Sequence, residues 1–333
     1  MRAVLCKEIA DPAVLSVEDG VPPPVLGDGS VRVAVHAAGV NFADTLVITG
    51  RYQEKPPLPF SPGLELAGTV IETAPGVAAV RPGDRVMGVG GFGAFAEEAV
   101  LSADAVFRIP DSMDFVTAAG FPVAYGTSHG ALDWRAHLVA GETLLVHGAA
   151  GGVGLTAVEI GKAMGATVIA TAGSPEKLEV ARRHGADHLI DYSSEDIRAR
   201  VREITDGRGA DVIYDPVGGD AFDASLRCIA WEGRIVVIGF ASGRVPQAPA
   251  NLLLVKNCDV IGFYWGSYRA RKPAQVRASY EQLFRWFESG KLKPHVSHVL
   301  DLAQAAQALD LLRRRKATGK VVLTTGRSEA KAG

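Results

Sequence analysis

The sequence predicts an α/β protein of two domains: a mostly β part first, then strands alternating with helices that build a parallel sheet covered on both faces. Three observations carry this expectation. Up to about residue 120, short β-rich runs are punctuated by turn signals. From about 121 to 265, apolar strands alternate with helical runs, the pattern of a parallel sheet with helices on its faces. Between one such strand and the helix after it stands a glycine-rich loop, His147-Gly148-Ala149-Ala150-Gly151-Gly152-Val153-Gly154. A chain of 333 residues is also too long for most single cores.

In the first part, VRVAVHAAGV (31–40), ELAGTVIETA (65–74) and DRVMG (84–88) read as strands. Ser61-Pro62-Gly63 and Arg81-Pro82-Gly83-Asp84 mark turns between them. In the second part, TLLVH (143–147) precedes the glycine loop, and a helical run (153–164) stops at Gly165, a good residue to follow a helix end. ATVIATA (166–172) is the next strand. Ser174 and Pro175 then open a helix as N-cap and first helical residue. The alternation continues with HLID (188–191), a helix near 194–204, ADVIYD (210–215), a helix near 220–230, GRIVVIGF (233–240) and CDVIGFYW (258–265). Beyond 266 come a long helical region, a break at Lys293-Pro294, a helix over 302–316 and a strand KVVLTT (320–325). The terminal RSEAKAG reads as frayed. No internal repeat is found.

Composition narrows the function. Hydrophobic residues make up 47% and charged residues 22%, enough apolar material for two cores. A net charge of −2 gives no electrostatic case for nucleic acid or an anionic membrane as the main partner. The three cysteines, Cys6, Cys228 and Cys258, are far apart and odd in number, which suggests neither a disulfide framework nor a zinc cluster. No apolar run reaches signal-peptide or membrane-spanning length, so a reducing, cytoplasmic setting is the expectation.

The glycine loop is the first candidate site. Small residues at Ala150, Gly151 and Gly152, followed by Val153, let a pyrophosphate approach the backbone amides and the positive end of the helix. Gly154 would permit close packing of helix on strand. The spacing departs from GxGxxG, because Ala149 stands at the first glycine. A dinucleotide site selective for NAD usually carries an acid at the end of the second strand; here that strand ends in Thr171-Ala172-Gly173-Ser174, with no carboxylate. Lys177, near the third position of the next helix, is a cation against the helix dipole unless an anion lies nearby. With Ser174 as a donor and Tyr192 ending the next strand, these residues predict NADPH as cofactor. The alternative is a solvated lysine and a capping serine, with Glu176 supplying the first-turn charge.

At this point the chain resembles the zinc-independent quinone oxidoreductase branch of the medium-chain dehydrogenase/reductase superfamily, the branch that includes zeta-crystallin. The marks are Asn41-Phe42-Ala43-Asp44, Pro62-Gly63-Leu64-Glu65-Leu66-Ala67-Gly68, Gly83-Asp84-Arg85-Val86, the glycine loop itself, Gly185-Ala186-Asp187, and Gly319-Lys320-Val321-Val322-Leu323. The resemblance implies a doubly wound Rossmann sheet (122–265) inserted in a mostly β GroES-like domain (1–121 and 266–333), with substrate and nicotinamide meeting in the cleft between them. Zinc-dependent members carry a cysteine where this chain has Asn41, and a histidine where it has Leu64. No cysteine lies between 7 and 227, so the third catalytic ligand and the structural zinc lobe are missing too. No metal site is expected.

Without a Lewis acid to stabilise an alkoxide, reduction of a quinone or of a carbonyl-conjugated double bond is the less demanding chemistry. The protein must orient the reactants and offer a hydrogen bond to the developing enolate. The resemblance points to Tyr52 as proton donor, or as a loop tyrosine that packs on substrate, and to Asn41 as a contact of the nicotinamide ribose or the substrate carbonyl. Asp44 reads equally as a structural residue. Thr127 matches a position near the nicotinamide or caps a helix. Gly239-Phe240 and Phe263-Tyr264-Trp265 follow strand ends, where ligands of such sheets bind; the aromatic triplet could instead serve core or dimer. The strand at 258–263 pairs across a homodimer in relatives. His147 reads as packed, and Arg313–Lys316 as a solvated helix end. The expected function is NADPH-dependent reduction of a small-molecule quinone or enone. An enoyl thioester reductase is the nearest alternative, and a non-catalytic NADPH-binding protein is one of another class.

Overall fold

The chain opens with β1 (Ala3–Leu5), paired antiparallel with β2 (Ser16–Glu18). The β-branched alternation of Val31, Val33 and Val35 then makes β3 (Ser30–Val40) the longest strand, with those valines buried. Helix α1 (Phe42–Ile48) follows at once, and the carboxylate of Asp44 receives the Asn41 N–H at 2.7 Å. Next come β4 (Glu65–Thr73), β5 (Arg85–Val89), β6 (Glu98–Ser102) and β7 (Val106–Arg108), all antiparallel to their partners. Asp114 caps α2 (Phe115–Ala119). Helix α3 (Pro122–His129) runs on into a π-helical stretch, Gly130–Arg135.

The predicted alternation follows: β8 (Thr143–Val146), α4 (Gly152–Ala163), β9 (Thr167–Ala172), α5 (Pro175–Arg183), β10 (His188–Asp191), α6 (Ile197–Ile204), β11 (Ala210–Asp215), α7 (Gly219–Cys228), β12 (Ile229–Val237), α8 (Ala250–Lys256) and β13 (Asp259–Gly262). The six strands form one parallel sheet in the order β10-β9-β8-β11-β12-β13. Its inner strands are continuous apolar runs because both faces are covered. Helix α6 begins later than the periodicity suggests, because Asp191 takes the Ser193 N–H into a turn and Asp196 caps the helix by accepting the Ala199 N–H. Helices α9 (Gly266–Arg271) and α10 (Pro273–Glu288) come next. Then β14 (Val296–Asp301), α11 (Ala305–Arg313) and β15 (Lys320–Thr324) close the chain, β15 pairing antiparallel with β3 and parallel with β14.

This computed structural model describes residues 1–327; the frayed end predicted for 327–333 lies outside the described residues from 328 onward. The chain divides into unit 1, Met1–Val123 with Pro294–Gly333, and unit 2, Ala124–Lys293. The expected return to the first domain at 266 is corrected: the second unit runs on to Lys293. Helix α10 buries Val276, Ser279, Tyr280 and Leu283, and Ser279 bonds the His129 ring of α3 at 2.8 Å. Trp286 packs edge-on against the same histidine. These contacts tie α10 to unit 2. No helix among the described residues is long and apolar enough to cross a membrane.

Candidate functional site

In unit 2 the glycine loop leaves β8 and enters α4. The amides of Gly152, Val153 and Gly154 precede the first intrahelical bond, which is Leu155 N–H to Gly151 O at 2.8 Å. Gly151, Gly152 and Val153 are partly exposed, whereas Ala150 is buried. No side chain caps this helix. A Cβ on Gly154 would stand 2.2 Å from the Gly148 carbonyl oxygen, so α4 approaches the loop as closely as backbone allows. Beneath the loop His147 is buried in a polar cluster, with Nδ1 3.1 Å from Thr171 Oγ1 and Nε2 2.8 Å from Ser225 Oγ. Ser225 gives its own proton to Ala221 O, so it must accept from Nε2–H, and Nδ1 then accepts from Thr171. Burial pulls the His147 pKa down and keeps the ring neutral. It is a packed histidine.

At the end of β9 stands Gly173, where a Cβ would run into the Tyr192 ring at 2.8–2.9 Å. Tyr192 is itself about half exposed. Ser174 caps α5 by accepting the Lys177 N–H at 3.4 Å. Its hydroxyl proton goes to Glu176, and that hydrogen bond is the main reason the Glu176 carboxyl sits below its usual range. The donor predicted for an anion is thus already engaged by a carboxylate two residues away. Lys177 is partly buried on the same first turn.

The remaining predicted cofactor residues divide by exposure. Thr127 is buried and lies inside α3, not at its end. Gly239 and exposed Phe240 follow β12. Phe263 is buried, its ring packed against Tyr268 (centroids 5.3 Å apart) and Trp134 (6.4 Å). Its side chain is therefore spent on the interior, whereas Tyr264 is exposed. At the end of β11, Asp215 accepts the N–H groups of Val217 and Gly218 with one oxygen. Its other oxygen is buried with no hydrogen-bond partner among the described residues.

Unit 1 holds a second constellation that sequence reasoning missed. Lys320 Nζ lies 2.7 Å from Asn41 Oδ1, 2.8 Å from Glu65 Oε1 and 3.0 Å from the Val40 carbonyl. Asn41 Nδ2 donates to the same Glu65 oxygen at 2.9 Å, and Glu65 Oε2 receives the Val123 N–H at 2.7 Å. The side chains of Lys320 and Glu65 are only 8% and 0% exposed. Asp44, buried beside them, has its carboxyl pushed up to about 7, chiefly by desolvation and against the pull of the Asn41 N–H and Lys320. Leu64 is buried and has no donor atom to offer. Tyr52 is half-buried at the end of the α1 loop, its N–H on Leu46 O and its ring against the unit 1 core. Among the described residues no three His, Cys, Asp or Glu side chains are grouped to hold a metal. The signal in the sequence was a charge inside each of two apolar strands, Glu65 opening ELAGTV and Lys320 opening KVVL.

The chain is similar to known proteins over nearly its whole length. The family described as alcohol dehydrogenase GroES-like domain matches residues 27–111, and the one described as zinc-binding dehydrogenase matches 152–289. A quinone oxidoreductase-like protein 2 homolog from Nematostella vectensis is 46% identical, over 97% of this chain and 89% of its own length. A quinone oxidoreductase from Pseudomonas aeruginosa is 40% identical over 94% of this chain and 96% of its own. The crystal structure of an Escherichia coli quinone oxidoreductase complexed with NADPH superposes with a TM-score of 0.91 at 30% identity, covering 97% of this chain and all of that one.

Proposed function

Because the chain belongs to the quinone oxidoreductase branch of the medium-chain dehydrogenase/reductase superfamily, we propose that it is an NADPH-dependent reductase that transfers hydride to quinones or α,β-unsaturated carbonyls without zinc. The observation that carries the reading is the glycine loop: three unsatisfied first-turn amides, partly open, at the mouth of a helix that no side chain caps. Ala150, Gly151, Gly152 and Val153 would hold the pyrophosphate. The unpartnered oxygen of Asp215 suits a hydroxyl donor, and Lys177 with Tyr192 would receive a 2′-phosphate at a strand end that carries no acid. Thr127, Gly239, Phe240, Tyr264 and the main chain at Phe263 would complete the cofactor contacts. Bound there, NADPH supplies the hydride.

Zinc does not fit the donor chemistry of unit 1. Leu64 offers no ligand atom, and the Asn41 oxygen already takes the Lys320 ammonium, a cation that would repel a metal. The matched family whose description mentions zinc covers 152–289 and neither of these positions. The charge that develops on the acceptor oxygen must then be met by hydrogen bonds, and we assign Tyr52 as the proton donor to enolates, with solvent sufficing for quinols. The exposed edge of β13 and the exposed Leu254 and Val255 of α8 support a homodimer. Three buried free thiols suit a reducing, cytoplasmic setting.

The test is a panel: para-benzoquinone, phenanthrenequinone, simple enones and crotonyl-CoA, each with NADPH and with NADH. Quinone and enone turnover with NADPH is the expected result. Turnover confined to crotonyl-CoA would move the assignment to an enoyl thioester reductase. Thermal stabilisation by NADPH with no turnover anywhere would make it a binding protein. Tyr52→Phe should slow enone reduction about tenfold while leaving quinone reduction nearly unchanged, and equal effects would remove Tyr52 from the proton-donor role.

A further inference from the structure

Sheet register brings two opposite charges, 255 residues apart, to the end of one strand. In the β3–β4 pairing Gly39 stands opposite Glu65; in the β15–β3 pairing Val40 stands opposite Val321, the residue after Lys320. Lys320 and Glu65 therefore flank the Gly39-Val40-Asn41 end of β3 from either side. Gly39 has no side chain to keep them apart, since a Cβ there would lie 2.4 Å from Glu65 Oε1. The three acceptors around Lys320 Nζ match the three N–H donors of an ammonium, so none of its protons is left over. Lysine can only donate and the Glu65 carboxylate can only accept. Together they fix which end of the Asn41 side chain is oxygen and which is nitrogen.

We propose that Lys320 is a positioning residue for the reduction: its ammonium is the built-in cation of unit 1, orienting the Asn41 carboxamide and balancing the buried Glu65 carboxylate. The proposal rests on the reductase reading above and takes for Asn41 the substrate-carbonyl contact that the resemblance implies, since it is the reduction that losing that contact would slow. One cation serves two buried carboxyls here, and that count agrees with Asp44 holding its proton to near neutrality. The charged groups that act on the Asp44 carboxyl are Lys320 and Glu65, alongside the N–H groups of Asn41 and Leu64. Helix α11, which packs on α1, buries Ala305, Ala308 and Leu309 and no charge among the described residues.

The experiment compares the full-length wild type with Lys320→Met and with the double variant Lys320→Met/Glu65→Gln. Three quantities are read: kcat with phenanthrenequinone, the NADPH dissociation constant, and the melting midpoint between about pH 5 and 9. Lys320→Met leaves Glu65 buried without a cation, so its melting midpoint should fall as pH rises, more steeply than wild type. Its kcat should fall about tenfold or more, while NADPH affinity, a property of unit 2, stays within about twofold. The double variant removes both charges and should regain the wild-type melting profile but not kcat. A double variant that regains kcat as well, or a folded Lys320→Met that keeps kcat within about twofold, overturns the proposal. Should Lys320→Met fail to fold, kcat of the double variant decides. A wild type that reduces no acceptor removes the reductase reading itself, and the positioning role with it.

Discussion

The two constellations are built from different material. In unit 2 the working groups are amides that a short run of small residues exposes at one helix start, all within Gly148–Gly154. In unit 1 they are side chains drawn from Asn41 at the start of α1, from β4 and from β15, and no local segment contains them. A backbone-built site tolerates changes in side-chain chemistry but not in volume. A site built from side chains has the reverse sensitivity, because its polar groups satisfy one another and the loss of any one strands the rest.

The largest effect should come from volume in unit 2. Gly154→Ala places a Cβ 2.2 Å from the Gly148 carbonyl oxygen, with backbone on both sides of the contact, so neither partner can yield. NADPH affinity, measured by fluorescence titration, should fall about a hundredfold, or the fold should be lost. Gly151→Ala is the internal comparison: its Cβ would meet the same oxygen at 3.3 Å, and a loss of about threefold is expected. Similar losses in the two variants would show that the close approach of α4 to the loop is not what the cofactor site depends on.

The same contrast governs how much could be read from the sequence. The parallel sheet, the glycine loop, the Ser174 cap and the Pro175 start were legible because each is a local pattern, and the structure reproduces them within a residue or two. The Lys320–Glu65 pair was not legible as a site: its proximity depends on two strand registers across most of the chain, and only the oddity of a charge in each of two apolar strands hinted at it. The fate of Ser174 was half legible. Sequence gave its capping role, but not that Glu176 would take its hydroxyl proton. The boundary after 266 failed for the same reason as the lysine pair, since α10 belongs to unit 2 through Ser279 and His129, which are 150 residues apart.

Charge should dominate in unit 1. Burial holds the proton of native Asp44 up to about pH 7, whereas an unfolded aspartate releases it in the ordinary carboxylate range near 3.8. Between about pH 4 and 7 the native state thus binds more protons than the unfolded one, and stability falls as pH rises through this window; above it both forms are ionised and the slope vanishes. The change across the window is on the order of 4 kcal/mol, at about 1.36 kcal/mol for each tenfold change in the proton-binding equilibrium. Asp44→Asn keeps an acceptor for the Asn41 N–H and cannot ionise, so urea unfolding at a series of pH values should show a flattened profile. A variant with the wild-type slope would assign the pH dependence elsewhere.

The smallest effects should fall at the strand end that faces the cofactor ribose in the proposed site, where backbone and side-chain logic meet. Lys177→Ala should weaken NADPH about tenfold and leave NADH unchanged, because only the 2′-phosphate distinguishes the two. Glu176→Gln works in the opposite direction. The carboxylate is exposed, holds the Ser174 proton and carries a charge of the same sign as the phosphate. Glutamine keeps the length and an acceptor oxygen for Ser174 but removes that repulsion. NADPH should then bind two- to threefold more tightly at low ionic strength, with the gain fading as salt screens an exposed pair. Titration of both nucleotides at low and high salt separates the possibilities. An equal gain for NADH, or a gain that survives high salt, would mean that Glu176 acts on the shape of the α5 start and not on the phosphate.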